Sequence, residues 1–282
     1  MAALQKIRFP QIQETCGWTE LFPDKIETLA QSLVFVKRMM AISVSCITYL
    51  RGIFPEDAYS TRYLEDLCIN ILRENSSHPR ASKIIQWMQG CFDALEKKYL
   101  QMVILGVYKN TEDPNSLIES YQFKFVYTPK GPQMHIASDR IPLLKNVTMG
   151  GIKSASMGLI RKLFLLMHNL GPLPSDISMT MKLFYYDAVT PPHYQPPGFK
   201  EGVAHIIHFE GDPVHVKLAE VSTSFHVFKL RITTEKDRME TLNEQSIFKE
   251  QEENDGPQKK CVSGHAVAKK PKIKETSRKR KR

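Results

Sequence analysis

The sequence is poor in cysteine, and the cysteines that it has form no close pair. They are Cys16, Cys46, Cys68, Cys91 and Cys261. An odd number of scattered cysteines provides no disulfide framework of the kind that stabilises small secreted domains. We therefore expect a reducing compartment and buried free thiols.

Long apolar runs and glycine-rich phosphate loops are also missing. No window reaches the run of about 18 apolar residues that a membrane span needs, and the N-terminal stretch MAALQKIRFPQIQE lacks the apolar centre of a signal peptide. No glycine-rich loop joins a strand to a helix, so no nucleotide-binding unit is visible, and there is no internal repeat. What remains is a globular chain whose 42% hydrophobic content is enough for a core.

Positive charge is unevenly distributed along the 282 residues. The segment from Lys259 to Arg282 holds eleven Lys and Arg and one Glu, a formal charge of +10. Because the whole chain carries +9, the other 258 residues sum to −1. This near-neutral balance argues against a broad nucleic-acid-binding face on the folded part.

A long central helix is predicted near the N-terminus. Asp24 can cap it with Glu27 in the capping-box position, and the apolar periodicity extends to about Leu50. The segment is apolar on almost every side, which is typical of a helix in the middle of a fold. Its spacing predicts that Leu33 and Ile47 face a sheet.

Three further helices follow from the same periodicity. A short one is predicted over 63–72, a longer one begins near Ser82, and the last extends from Ile152 to Leu170. Gly171-Pro172 ends the last helix.

Strands alternate with these helices in the second half of the chain. The runs 102–108 and 121–128 predict an antiparallel hairpin with a long loop. The alternating segment 179–186 is apolar on both faces and predicts a central strand. Four prolines and a glycine then force the chain out of the sheet: Pro191, Pro192, Pro196, Pro197 and Gly198.

Three more strands are predicted after the proline block, over 203–209, 214–221 and 225–233. The order of elements predicts an α+β fold, with long helices packed on one face of a mostly antiparallel sheet. We expect a flexible arm over 1–21, one domain over 22–235, and a disordered linker and basic tail over 236–282.

Candidate catalytic and metal-binding residues do not converge. The histidines of the last predicted strands are His205, His208, His215 and His226. Residues three apart on a strand face opposite sides, and a zinc site needs three or four ligands at one point, so packing or surface histidines are favoured. Serines lack a nucleophile-elbow context. The pattern indicates no enzyme, metal or cofactor.

The basic tail has three interpretations. It could be a solvated charged tail, a weak electrostatic DNA contact, or a nuclear import signal, and the dense terminal charge favours the last. The residues of that predicted signal are Lys269, Lys270, Lys272, Lys274, Arg278, Lys279, Arg280, Lys281 and Arg282.

Several segments together resemble the HORMA domain proteins of the vertebrate meiotic type. They are SLVFVKRMMAISVSCITYLRGIFPE, YLEDLCINILRE, GCFDALEKKYL, YQFKFVYT, LIRKLFLLMHNLGPLP and TMKLFYYDAVTPPHYQPPGFKEG. They occur in order and cover most of residues 22–235. The stretches GIFPE and VTPPHYQPPGF favour the first of the two vertebrate types.

This resemblance implies a HORMA fold with a C-terminal safety belt, a mobile segment that closes over a partner peptide called a closure motif. The peptide adds as a strand to a sheet edge. The belt should extend over about 196–234. The peptide-binding residues that the resemblance places in it are Pro196, Pro197, Gly198, Phe199, Val214, Val216, Leu218, Phe225, Phe228 and Leu230.

The resemblance also implies a setting: an adaptor in the nucleus, on unsynapsed meiotic chromosome axes. Such proteins bind closure motifs in axis-core proteins and in HORMA tails, their own included. They support double-strand-break formation with break-promoting axis proteins, homologue synapsis and checkpoint surveillance. An AAA+ ATPase remodels them, their chromatin association is mainly indirect, and no membrane is involved.

Two features depart from the family's pattern. The chain ends at Arg282 inside the basic run, where the family continues into a hydrophobic, Ser-Glu-Pro-like closure motif. It also has no Ser-Gln or Thr-Gln dipeptide, the usual checkpoint-kinase target. The alternative function is a nuclear nucleic-acid-binding protein that acts through its tail.

Overall fold

Residues 18–109, 116–128, 148–202, 209 and 211–239 are described by a computed structural model of the chain. Its helices are α1 (Trp18–Leu21), α2 (Leu29–Leu50), α3 (Pro79–Glu96) and α4 (Met149–His168). Its strands are β1 (Tyr59–Leu64), β2 (Leu67–Leu72), β3 (Leu100–Tyr108), β4 (Leu117–Tyr127), β5 (Ser178–Tyr185), β6 (Pro213–Ser222) and β7 (His226–Glu235). Glu56–Ala58 and Lys236–Arg238 form 3-10 turns. The predicted α+β class is confirmed.

The central helix α2 begins later than predicted. Thr28 caps it, with its hydroxyl accepting from the Gln31 amide and the Gln31 side chain accepting from the Thr28 amide. This capping box lies directly before the continuous apolar run, so it displaces the box expected at Asp24. Ile47 is fully buried as predicted, whereas Leu33 is only partly buried.

The prediction that no window is apolar enough for a membrane span is wrong by length and hydropathy alone, because α2 meets both requirements. Within the fold, 61% of its most apolar window is buried. It packs against α4, β2 and β7. We therefore describe α2 as the core helix of the domain.

The predicted short helix over 63–72 is wrong, because this segment forms the antiparallel hairpin β1–β2. The two strands pair from Tyr59 opposite Leu72 to Leu64 opposite Leu67. Glu65 has a φ of 55°, in the left-handed region that a tight two-residue turn requires. The apolar residues of this segment are spaced by three and four positions, a spacing that is compatible with a helix and also with a hairpin. The tight turn at Glu65 shows that the segment is a hairpin.

The main sheet has the strand order β5-β3-β4-β7-β6, and all its pairs are antiparallel. The predicted β3–β4 hairpin is confirmed. Helices α2, α3 and α4 pack on one face, against β7, β3 and β6 respectively. The prediction that β5 is central and covered on both faces is wrong. Among the described strands it lies at the edge of the sheet, and no described helix covers the face that carries Lys182 and Phe184, which are partly exposed.

The domain extends beyond its predicted boundaries at both ends. Trp18 is buried and stacks on Phe22 with a ring-centroid distance of 4.4 Å, so the predicted arm over 1–21 ends before this residue. At the other end, Met239 forms a bridge with Leu170. The rest of the arm and the tail from residue 240 lie outside the described residues.

Two further predictions are settled in part. Cys46 and Cys91 are buried free thiols as expected, but Cys68 is exposed, while Cys16 and Cys261 lie outside the described residues. Strands β6 and β7 confirm two of the three strands predicted after the proline block. Of the third, over 203–209, only Phe209 is described, in a parallel bridge with Leu117.

Candidate functional site

Strand β5 presents an open lateral edge. It pairs with β3 from Leu100 opposite Tyr185 to Tyr108 opposite Ser178, and with no other strand among the described residues. Such an edge leaves a row of backbone N–H and C=O groups directed away from the sheet. It is therefore a template on which another extended segment could pair.

A cavity of about 280 Å³ lies beside the first residues of this strand. Its lining comes from α3 and from the start of β5: Phe54, Arg80, Lys83, Ile84, Trp87, Ile177, Ser178 and Met179. The guanidinium of Arg80 donates to the carbonyl of Ile177 at 3.0 Å, and the ammonium of Lys83 lies 5.2 Å from the centre of the Trp87 ring. The cavity thus combines apolar walls with two cations.

Beyond β5, residues 186–202 (the crossing segment) dock on α3. The Tyr186 amide donates to the Tyr99 carbonyl at 2.8 Å, which fixes the start of the segment. The Tyr194 hydroxyl donates to Asp93 Oδ2 at 2.5 Å, and its ring makes edge contacts with Tyr99 and Tyr185. These contacts hold the proline block against the helix.

The Asp93 carboxylate is stabilised by its two donors. The pKa of Asp93 lies below its ordinary value because Lys97, first, and then Tyr194 donate to it. The pKa of Tyr194 is raised by burial and, next, by the hydrogen bond to Asp93. At neutral pH the pair is therefore a neutral phenol that donates to a charged carboxylate, which is a strong form of hydrogen bond.

A glycine in α3 allows the segment to approach closely. A Cβ on Gly90 would lie 2.4 Å from the Pro197 carbonyl oxygen and 2.7 Å from the Phe199 ring. Gly198 lies between Pro197 and Phe199, and its φ of +81° allows the chain to turn there, near Trp87. Any larger residue at position 90 would have to displace this backbone.

The crossing segment follows α3 alongside β5. It leaves the end of β5 at Tyr186, passes Asp93, and reaches Trp87, which lines the same cavity as Met179. The next described residue, Phe209, bridges to the start of β4, and β6 then occupies the opposite edge of the sheet. The connection between β5 and β6 therefore extends from one edge of the sheet to the other.

The predicted belt residues fall into two groups. Pro197, Gly198 and Phe199 lie against α3 at Gln86, Trp87 and Gly90, and Pro196 accepts a hydrogen bond from the Phe199 amide. Val216, Leu218, Phe228 and Leu230 are buried in β6 and β7, while Val214 and Phe225 are partly buried. This second group lies in or beside the strand pair at the far edge of the sheet, and the structure does not bring it to β5.

The turn of the β6–β7 hairpin is anchored to α2. Ser32 Oγ lies 2.6 Å from Thr223 Oγ1 and 2.7 Å from His226 Nδ1. Burial lowers the pKa of His226 to about 4, with a smaller contribution from Lys98. His226 is thus a packed residue, held neutral inside the fold.

Of the other predicted histidines only His215 is described, and it does not lie beside His226. His215 lies on β6, with Nδ1 2.9 Å from Thr233 Oγ1. His205 and His208 are outside the described residues. In the described ranges no group of three or more His, Cys, Asp or Glu side chains could hold a metal ion.

The end of β7 is fixed by a buried ion cluster that sequence reasoning missed. Glu119 is fully buried and accepts from Arg51 at 2.6 and 3.1 Å and from the Tyr121 hydroxyl at 2.6 Å. Arg238 lies 3.5 Å from the same carboxylate and donates to the Gly171 carbonyl at 3.0 Å. The cluster joins α2, β4, the end of α4 and the residues after β7.

Other contributors to the site were also missed, namely Gly90, Asp93, Tyr186, Tyr194 and the cavity residues of α3. A glycine inside an otherwise regular helix signals a close backbone approach, so Gly90 could have been found. The pairing of Asp93 with Tyr194 spans 101 residues of sequence and left no local signal.

The chain is similar to known proteins in both sequence and fold. Residues 32–226, more than half of the chain, match the HORMA domain family. HORMA domain-containing protein 1 of Rattus norvegicus is 56% identical over 234 residues, covering 83% of this chain and 60% of that protein. The Homo sapiens protein of that name is 56% identical over 233 residues, covering 83% and 59%. The chain thus spans about 60% of the length of these relatives.

Among solved structures, C. elegans HTP-2 bound to HTP-3 closure motif 1 is similar in fold, with a TM-score of 0.68. The identity is 20%, and the match covers 82% of this chain and 97% of that one. At this identity the likeness concerns the fold alone. The predicted similarity to the first vertebrate type is confirmed by the relatives, and the chain belongs to the HORMA domain family.

Proposed function

We propose that the chain is a non-enzymatic adaptor that captures a closure-motif peptide as an added strand on β5. The peptide would lie between the open edge of β5 and the crossing segment. Main-chain hydrogen bonds would supply affinity, and side-chain contacts such as those in the α3 cavity would supply specificity. The segment from Pro196 to Thr234 would act as the safety belt.

The main support for this proposal is the order of the strands in the sheet. The β6–β7 hairpin pairs with β4, so that among the described strands β5 is left without a neighbour at the opposite edge. The connection between the two edges passes along α3 beside β5. A strand placed on β5 would therefore be flanked by the chain's own connecting segment. Such a peptide could leave only after this segment moved, so its dissociation should be slow.

The proposed setting is the meiotic chromosome axis. The supporting observations are the identity to HORMA domain-containing protein 1 and the similar fold of a protein solved with a closure motif. In this setting the partners are closure motifs of axis-core proteins or HORMA tails, break-promoting axis proteins and a remodelling AAA+ ATPase. The roles are support of double-strand-break formation, synapsis and surveillance of unsynapsed axes.

Nuclear entry through Lys269–Arg282 is a separate part of the proposal. These residues lie outside the described ranges, and the support is their charge. Deleting them should leave the protein cytoplasmic when it is expressed in somatic cells without its partners. Unchanged nuclear accumulation would contradict this part without affecting peptide capture.

Strand addition can be tested through the periodicity of the peptide backbone. Peptides tiled across axis-core proteins are first screened for binding to the full chain by fluorescence polarisation. The best binder is then N-methylated at one position at a time. On an antiparallel or parallel edge only alternate amides face β5, so affinity should fall at every second position. An effect without this period of two would show that the peptide is not a strand on β5.

A further inference from the structure

The sheet face opposite the helices carries a concentrated set of cations. The strand registers align side chains in rows across all five strands. One row consists of Lys182, Ile104, Gln122, Arg231 and Lys217. The next consists of Phe184, Met102, Lys124, Lys229 and Glu220. Five of these ten positions are Lys or Arg, and one is acidic.

These cations are accessible on the face that the described helices leave uncovered. Lys124, Lys217 and Arg231 are exposed, and Lys182 and Lys229 are partly exposed. The alternate residues of β4, such as Phe123 and Phe125, are buried on the helix side. At a strand spacing of about 4.8 Å, the five-strand row spans roughly 19 Å.

The arrangement of the charges opposes folding. Lys124 lies directly across from Lys229, and Lys217 lies directly across from Arg231. Like charges at directly opposite positions of one sheet face are destabilising. Glu220 pairs with Lys229 at 2.7 Å, but within the described part of the chain no ion pair involves Lys124, Lys182, Lys217 or Arg231. Repulsion of this kind is relieved by an anion that bridges the rows.

An aromatic and a flexible apolar side chain lie among the cations. Phe184 and Met102 are partly exposed neighbours in the same row as Lys124. Cations that follow a phosphate backbone beside an aromatic ring that stacks on bases are the usual means of binding single-stranded nucleic acid. An acidic peptide would use the cations but would have no need of the ring.

We propose that this face, defined by Lys124, Lys182, Phe184, Lys217, Lys229 and Arg231, binds the backbone and bases of single-stranded nucleic acid. The proposal is independent of peptide capture, because these side chains lie on the other side of the sheet from α3. It differs from binding through the tail. The near-zero net charge of the folded part argued against a nucleic-acid-binding face. A net charge, however, does not show whether the cations are concentrated on one face of the sheet.

The test measures binding of the full chain to a fluorescein-labelled 20-nucleotide dT strand by anisotropy over a range of salt concentrations. To remove the contribution of the tail, all proteins carry Gln in place of all eleven Lys and Arg residues from Lys259 to Arg282. The face variant adds Lys124→Gln and Arg231→Gln. The control adds Lys153→Gln and Arg161→Gln, an equal charge change on α4, where both cations are paired with surface acids.

The face variant should bind more weakly, and the slope of log affinity against log salt should become shallower by about 1.4, since each lost phosphate contact removes about 0.7. The control should keep the parent slope. Phe184→Ala should weaken binding without changing the slope, because stacking releases no counterions.

Equal slopes in the face variant and the control would overturn the proposal. A labelled 20-residue poly-Glu peptide is measured alongside. If the face variant loses poly-Glu binding while dT binding is unchanged, the face recognises an acidic protein segment, and the nucleic-acid assignment is wrong. Thermal unfolding accompanies each measurement, and the face variant should be at least as stable as its parent because like-charge pairs are removed.

Discussion

The hydroxyl of Tyr194 donates a hydrogen bond of 2.5 Å to Oδ2 of Asp93 and joins the crossing segment to α3. The two residues are 101 positions apart in sequence. The ring of Tyr194 also contacts Tyr185 at the end of β5, so under the proposed strand addition the contact would hold the segment beside a bound peptide.

Replacing Tyr194 by Phe should release the crossing segment without unfolding the domain. The change removes one hydrogen bond to a charged group, which is typically worth about 1.5–3 kcal/mol, less here because Asp93 is partly exposed. Hydrogen exchange of residues 186–199 should accelerate, and a bound closure-motif peptide should dissociate faster. Tyr49→Phe, on the far end of α2, should change neither rate. Equal peptide dissociation in both variants would mean that the contact has no part in closure.

Replacing Gly90 by Ala should separate docking of the segment from stability of the helix. A helix-interior Ala is about 1 kcal/mol more favourable than Gly. Its Cβ, however, would meet the Pro197 carbonyl oxygen at 2.4 Å, so residues 196–199 must move. We expect a melting temperature that is unchanged or higher, together with faster exchange of 196–199 and a shorter peptide residence time.

Gly150 provides the matched control for this change. It lies in α4, and a Cβ added there would have nothing within 4 Å, so Gly150→Ala should gain helix stability without affecting the segment. If Gly90→Ala and Gly150→Ala have the same effect on peptide residence time, the close approach at Gly90 does not matter for capture.

Sequence periodicity identified the core helix but missed both the uncovered face and the lateral edge of the sheet. Ile47 was placed in the core correctly because α2 is apolar over most of its surface. Strand β5 was placed at the centre because both its faces are apolar. No described helix covers the face that carries Phe184, however, and hydropathy does not show whether a strand has two neighbours. The hairpin β1–β2 was mistaken for a helix because Leu64, Leu67 and Ile71 fit both periods, and Glu65 gave no sign of its positive φ.

From the sequence, only the part of the site that depends on the proline residues could be predicted. The proline block indicated where the chain leaves the sheet, and this is where the crossing segment begins. The partners of that segment could not be inferred from the residues alone, because the contacts of Asp93 and Gly90 join positions about 100 residues apart. The strand order, which leaves β5 open, likewise depends on long-range pairing of β7 with β4.

Replacing Glu119 by Gln should strongly destabilise the whole domain. Glu119 is fully buried and is the only acidic partner described for Arg51, which is itself 9% exposed. Neutralising one member of a buried ion pair leaves the other charge uncompensated and costs about 3–5 kcal/mol. Chemical denaturation should show a loss of this size. Glu65→Gln, which breaks a surface pair with Lys153, should cost less than about 1 kcal/mol. Similar losses in both variants would contradict the role of the buried cluster.

Stability should fall in mildly acidic solution because of His226. Burial lowers its pKa in the folded chain to about 4, whereas an unfolded chain has the ordinary value of 6.5. Between these values the unfolded chain binds a proton that the folded chain does not. The stabilisation is therefore complete above pH 6.5 and is lost as the pH falls towards 4, by at most about 1.4 kcal/mol per pH unit.

Urea unfolding of the full chain at pH 7.5, 6.5 and 5.5 measures this effect. His226→Gln removes the titrating group and should lower stability at pH 7.5, because the contacts with Ser32 are altered. Its stability should then decline less between pH 6.5 and 5.5 than that of the parent chain, by up to about 1.4 kcal/mol. Gly150→Ala, which removes no titrating group, should retain the parent's pH dependence. If His226→Gln retains it as well, acid sensitivity arises elsewhere, and the hairpin turn does not hold a neutral histidine.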